Sequence, residues 1–483
     1  MIAVVEGTEA VEIIPGLVER QFRLILADPY ANAFKRWSAN KKREATQMKK
    51  KWMTLTGTIL TAAMIAGCSG NSDGGASEGG TSPGADGGSS GGNPVELTFW
   101  GDWGGEGQVQ FETMVKAFNE SQDRIRVKYV LQQDMITKFL TSATSGGSPD
   151  ILFWDRWRTS LYAPKNVLHP IDELMARDGI ERDHYFEESL KELTYDDKLY
   201  GLPLTVDARA LFYNKKMLED AGLEPPTTWE ELAEAAKTLT KWNGDRLEVA
   251  GFSMSDPGLF NMYLQQAGGQ MLTEDGKTNF NNEQGLAVLS FWDRLMNQDK
   301  VYKIGFEQGL GEGTDAFVTG RLAMHFTGPW MLSTYQKYGS ELDFGVVPPP
   351  AGPNGDRASV MGGFGLVIPE GSKHKDEAWE FITWWLANKD NAMLWAQTSL
   401  NLPGYKPALE DPFFADDPQW QPFLETLEFA KIRPRHPGYS VMEVDGLIPN
   451  LELFIQNKQS AEDTLAKSQT QGDKLLKDNE VVK

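Results

Sequence analysis

Cysteine is almost absent: the chain of 483 residues has one, Cys68. A lone thiol closes no intramolecular disulfide and builds no thiolate metal cluster. Histidine is scarce too. His169, His184, His325, His374 and His436 are scattered, none at ligand spacing from another, so neither a metal nor a cofactor is expected. Long apolar runs are missing. The longest, Trp52–Ala66, falls short of the roughly 20 residues that a membrane span needs. No H-E-x-x-H or P-loop occurs, and the formal G-x-S-x-G match at Gly87–Gly91 sits in a glycine–serine tract without the strand and helix such a motif requires. The many acidic residues leave a glycosidase carboxylate pair formally open, but nothing marks a particular pair. Positive charge is in deficit, with 47 Lys and Arg against 68 Asp and Glu, a net charge of −21. That balance argues against nucleic acid and other polyanions as partners.

What is present begins with the surroundings of that cysteine. Met48-Lys49-Lys50-Lys51 is a short basic segment, and the apolar run after it has the length of a signal-peptide core. Ile65-Ala66-Gly67-Cys68 resembles a bacterial lipobox. The resemblance implies cleavage before Cys68 and a diacylglycerol on its sulfur, and two acyl chains suffice for stable anchoring. Residues 48–67 are then a lipoprotein signal peptide and Met48 the expected start, with 1–47 an upstream extension outside the fold. Ser69–Asn93 holds 10 glycines and 6 serines among 25 residues and no large apolar side chain. It reads as a flexible tether spanning roughly 25–30 Å. The expected order is anchor and tether over 68–93, then a folded body.

The body opens with alternating Val95, Leu97 and Phe99, which predicts a strand stopped by glycines. Phe111, Met114, Val115 and Phe118 share one helical face, and Ile125, Val127, Tyr129 and Leu131 alternate again. Strand, helix and strand at this spacing make a βαβ unit. "GSPDILFW" supplies a third strand, and Ala210–Tyr213 a strand inside an extended crossing. Thr228 followed by Glu231 forms a capping box. "NFNNEQGLAVLSFWDRLM" reads as a helix, and "GTDAFVTGRLAMHF" as helix, turn and strand. "FGVVPPPAG" is a strand halted by three prolines, a place for the chain to cross between lobes. "GGFGLVIP" is a further strand, and Ala378, Phe381, Ile382, Trp385 and Leu386 line one face of a late helix.

Fifteen tryptophans raise the question of which serve the core and which a flat ligand. Sugars offer apolar C–H faces to indole rings and hydroxyl edges to Asp, Arg and amides. In open α/β sheets ligands bind beyond the carboxyl ends of the strands. Trp100, Asp102, Trp103, Trp154, Asp155, Asp207, Arg209 and Trp330 are suitable types near such ends. Trp330 follows Gly328-Pro329, which favours a loop or helix start over a core position.

Three stretches carry a family resemblance. "GLPLTVDARALFYNKKMLEDAGLEPPTTWEELAEAAK", "AFVTGRLAMHFTGPWML" and "DEAWEFITWWL" occur in the order found in maltose-binding-protein-like solute-binding proteins of ABC importers. The resemblance covers nearly all of 95–470. It implies an α/β fold of the two-lobed periplasmic-binding-protein type (type II), each lobe a mixed sheet flanked by helices, with a hinge of crossing segments. Lobe 1 would be 94–203 plus 350–400, and lobe 2 would be 204–349 plus 405–483. Ligand contacts are implied at Trp100–Trp103, Trp154, Asp155, Asp207, Arg209, Trp330, Gly362, Gly363 and Arg433. The implied protein is a monomeric, non-enzymatic carbohydrate binder that serves an ABC permease. It would be tethered through Cys68 to the outer face of the cytoplasmic membrane, or lie in the periplasm of a diderm cell. A secreted glycoside-active enzyme and a sugar-sensing partner of a receptor are the rival readings.

Overall fold

The computed structural model describes residues 93–310, 314–339 and 341–480; the expected signal peptide, Cys68 and nearly all of the expected tether lie outside the described residues. The sheet of the first lobe runs, in spatial order, Ile125–Leu131, Val95–Gly101, Ile151–Asp155, Phe364–Val367 and Gly201–Pro203. The first three strands are parallel, with Phe99 opposite Tyr129 and Ile151. Parallel neighbours need a crossover, here the helix Glu106–Ser121, whose Phe111, Met114, Val115 and Phe118 are buried as their spacing predicts. The strand Phe364–Val367 returns from far along the chain and pairs antiparallel on both sides. The core beneath is aromatic: Phe99, Phe111, Phe153, Trp154, Trp379 and Trp385 are all at most 1 % exposed.

The second lobe has a three-stranded antiparallel sheet, Met324–Thr327, Ala210–Asn214 and Phe344–Val347. Its core gathers Phe212, Trp229, Trp292, Phe317 and Tyr335. The helix Trp229–Leu239 starts as expected: Thr228 Oγ1 accepts from the Glu231 amide at 3.2 Å, and the Glu231 carboxylate reaches back to the Thr227 amide at 2.7 Å.

The two cores meet along three crossings. Leu204 belongs to the first and Val206 to the second; Met361 belongs to the second and Leu366 to the first. The third crossing is the helix Lys389–Ser399, which gives Trp395 to the first core and Ala392, Met393 and Ala396 to the second. The middle crossing therefore falls at Met361–Phe364 and not near residue 350. The proline run is held on the second lobe, where the Ala351 carbonyl accepts from the Trp229 amide at 3.1 Å and the Ala351 amide donates to Thr227 at 2.8 Å. A second difference concerns 314–320, expected as a helix. The Asp315 carboxylate caps the amides of Phe317 and Val318 at 3.0 and 2.9 Å, and the segment is a series of turns. Among the described residues no helix is long and apolar enough to cross a membrane, and no group of His, Cys, Asp and Glu could hold a metal ion.

Candidate functional site

The site is built around the first two crossings. Beyond Thr205 the chain forms the short strand Asp207–Ala208, which pairs antiparallel with Met361–Gly362. Gly362 stands opposite Asp207, and its amide donates to the Asp207 carboxylate. Burial pushes that carboxyl up, against the pull of Arg209, Arg156 and Arg433. Arg209 Nη1 lies 3.9 Å from Asp207 Oδ1, and the guanidinium covers the Trp330 ring with its carbon 4.5 Å from the ring centroid. Trp330 itself is half-buried and begins the helix Met331–Tyr338. Its six-membered ring occupies the place where a side chain at residue 328 would project, so any larger residue there would have to displace the ring. Trp330, Arg209, Asp207 and Gly362 thus form one connected line.

From the first lobe, Trp103 sets its ring edge-on to Phe364 at 5.0 Å and to Phe153 at 4.7 Å. Phe364 follows Gly363 directly and is opposite Asp155 in the sheet. Tyr129 Oη fixes the loop by donating to the Trp103 carbonyl at 3.0 Å. Asp102 beside it is exposed, and Trp100 is half-buried against the first core. Asp155 is half-buried at the strand end. Gly363 is buried, with φ 130°, and packs against Thr205 and Arg156.

Trp154 departs from its expected role. It is 0 % exposed, its Nε1 donates to Thr159 Oγ1 at 3.1 Å, and Phe139 and Tyr162 stand edge-on to it. With the ring enclosed in the core, no face is left for a ligand. The strand Ile151–Asp155 is buried on both sides through residue 154, so the indole that keeps some exposure is instead the half-buried Trp157, in the single helical turn that follows.

Trp157 lines a small cavity with Ser160, Glu192, Arg433, His436 and Tyr439. Arg433 Nε is 3.5 Å from Glu443 Oε2, and Tyr439 Oη donates to Glu443 Oε1 at 3.0 Å. Burial opposes charge on Arg433, but Glu443, Tyr439, Asp155 and Glu192 outweigh it and hold the guanidinium protonated. Burial likewise pushes the Glu443 carboxyl up, opposed by Arg433. Glu192 is pushed up to about 7 by burial, with Arg156 pulling it down and Asp155 adding to the rise. Arg156, Trp157, Glu192, Tyr439 and Glu443 were not marked in the sequence. Only Trp157 left a signal there, as the second indole of "WDRW".

A line of one indole, two charged groups and a glycine backbone at the crossings, with the half-buried Trp103 on the first lobe, can stack on a ring and hydrogen-bond its hydroxyl edge. Nothing in it resembles a nucleophile paired with a base. Comparisons with known proteins follow the same direction. Residues 104–392 match the family described as bacterial extracellular solute-binding protein. An arabinooligosaccharide-binding protein of Bacillus subtilis is 25% identical over 350 residues, 70% of this chain and 76% of its own length. Among solved structures, an ABC transporter solute-binding protein from Thermotoga lettingae bound with α-D-tagatose superimposes with a TM-score of 0.69 and 27% identity, covering 79% of this chain and 100% of that one. The cyclic α-maltosyl-1,6-maltose binding protein from Arthrobacter globiformis gives a TM-score of 0.67 and 26% identity, covering 80% of this chain and 100% of that one.

Proposed function

Because this chain belongs to the family of bacterial extracellular solute-binding proteins, with the two-lobed type II fold, we propose that it captures a carbohydrate between its lobes and delivers it to an ABC import permease. The observation that carries this reading is the Trp330–Arg209–Asp207–Gly362 line at the crossings, with Trp103 on the opposite lobe. It offers an apolar platform beside charged hydrogen-bonding groups, the pairing that a pyranose or furanose needs. The sugars in the names of the relatives support the same ligand class. Trp100, Asp102, Asp155 and Arg433 complete the proposed contact set. Ligand touching both lobes favours the closed arrangement, and the permease reads that arrangement.

The lipobox at Cys68 supports a lipid-anchored protein on the outer face of the cytoplasmic membrane, reaching its permease on the glycine–serine tether. A thermal-shift screen against mono- and oligosaccharides, followed by calorimetry, tests the binding reading. A rise in melting temperature is expected with at least one sugar, and that sugar should be recovered unchanged after prolonged incubation. Turnover of a glycoside that one Asp or Glu substitution abolishes would overturn it. Mass spectrometry should find a diacylated N-terminal Cys68, and Cys68→Ser should release the protein to the medium with sugar binding intact.

A further inference from the structure

Arg156 is the charged side chain most completely enclosed in the described chain, at 0 % exposure. Three of its bonds go to three different segments. Nε donates to Glu192 Oε2 at 3.0 Å, Nη1 to the Thr205 carbonyl, and Nη2 to the Gly362 carbonyl at 2.5 Å. Glu192 lies in the first lobe, and Thr205 and Gly362 are residues of the first and second crossings. The Arg156 amide also meets the Gly363 carbonyl at 3.4 Å. One guanidinium rooted in the first lobe therefore grips both strands that pass into the second. Gly363 matches this grip. A side chain there would run into Thr205 and into Arg156 Nη1, and its φ of 130° disfavours any other residue.

The arrangement suits arginine alone. A planar fork directs donors to two carbonyls and a carboxylate at once, whereas an ammonium is a single compact charge. An isolated buried charge is costly, and here the ion pair and the carbonyl bonds offset that cost only in one geometry. We infer that Arg156 is a positioning residue: it fixes the register of the two crossing strands and so sets how far, and at what cost, the lobes open, without touching the ligand. The link to the site is short. Gly362 pairs with Asp207, and Asp207 faces the Arg209 that lies on Trp330. A slip of either crossing would displace that line.

The inference rests on the binding reading above only for its affinity measurement. Glu106 on the first lobe and Lys337 on the second are joined at 2.6 Å, so exposed Val109 and Tyr338 on the same two helices are suited to report the distance between lobes. Nitroxide labels at Val109→Cys and Tyr338→Cys, in a chain carrying Cys68→Ser, give a ligand-free distance distribution by pulsed electron resonance. Arg156→Lys should broaden and lengthen that distribution, and weaken the sugar found by screening at least tenfold. An unchanged distribution, whatever the change in melting temperature, would reduce Arg156 to a stabilising residue and overturn the inference. If Arg156→Lys does not fold, Glu192→Gln decides by the same distribution, because it removes only the charge opposite Nε and leaves both carbonyl bonds in place. A wild-type chain that binds no sugar would sink the ligand reading while leaving the distance measurement to decide on Arg156.

Discussion

At the residue scale two side chains separate function from packing. Trp330 is half-buried at a helix start and capped on one face by Arg209, so its loss should be felt by the ligand more than by the fold. Trp330→Ala is expected to weaken sugar binding by about 1–3 kcal/mol, a range taken from aromatic stacking on bases, which is about 5- to 150-fold in affinity. Calorimetry with apo unfolding on the same variant checks it. Unchanged affinity with a stability loss of about 3–5 kcal/mol would place Trp330 in the core. Glu192 governs a pH effect. Burial raises its carboxyl from 4.5 to about 7, so between those pH values the folded chain holds a proton that the unfolded chain has released, and above them Glu192 is the carboxylate that pairs with Arg156. The stability that this proton confers is complete below the unfolded value and lost as pH rises through about 7. From pH 8 to pH 5.5 the wild-type melting temperature should therefore gain on that of Glu192→Gln, and a constant gap across that range would contradict the assignment. The sequence showed the residue types of the site better than their facing. Strand alternation cannot choose between Trp154 and Trp157 when the strand is buried on both sides, and Glu192 reaches Arg156 across 36 positions with no local pattern to mark it.

Elements were most legible where a local rule is self-contained. The helix Glu106–Ser121 and its flanking strands follow from apolar spacing, and Thr228 caps its helix through its own side chain. Thr228→Ala should cost about 1 kcal/mol, read as a lower denaturant midpoint with an unchanged slope. Where local and distant bonds compete, the reading failed. Asp315 caps the amides of Phe317 and Val318 as at a helix start, but Gly320 at φ 66° ends the segment after about one turn. The prolines after Phe344–Val347 announce a crossing, but bonds to Thr227 and Trp229, more than a hundred residues away, keep the chain on the second lobe until Met361. Three motif stretches sufficed to identify the family: the first joins a strand to a capped helix, the second a turn, a strand and a helix start, and the third lies within one helix.

At the scale of the whole molecule, the lobes are joined by strands held at Arg156 and by the helix Lys389–Ser399. That helix gives Trp395 to one core and Ala392, Met393 and Ala396 to the other. Neither core can melt without stripping a face from it, so the lobes should be coupled in unfolding even with the opening and closing proposed above. Scanning calorimetry should show one transition for residues 93–480, with calorimetric and van't Hoff enthalpies in agreement. Two resolved peaks would mean independent lobes. The coupling also decides how a ligand's stabilisation is spread. A sugar at one hundred times its dissociation constant adds about 2.7 kcal/mol. With a helix common to both cores, that increment should appear as a displacement of the single peak, and hydrogen exchange should slow at amides remote from the bound sugar in either lobe.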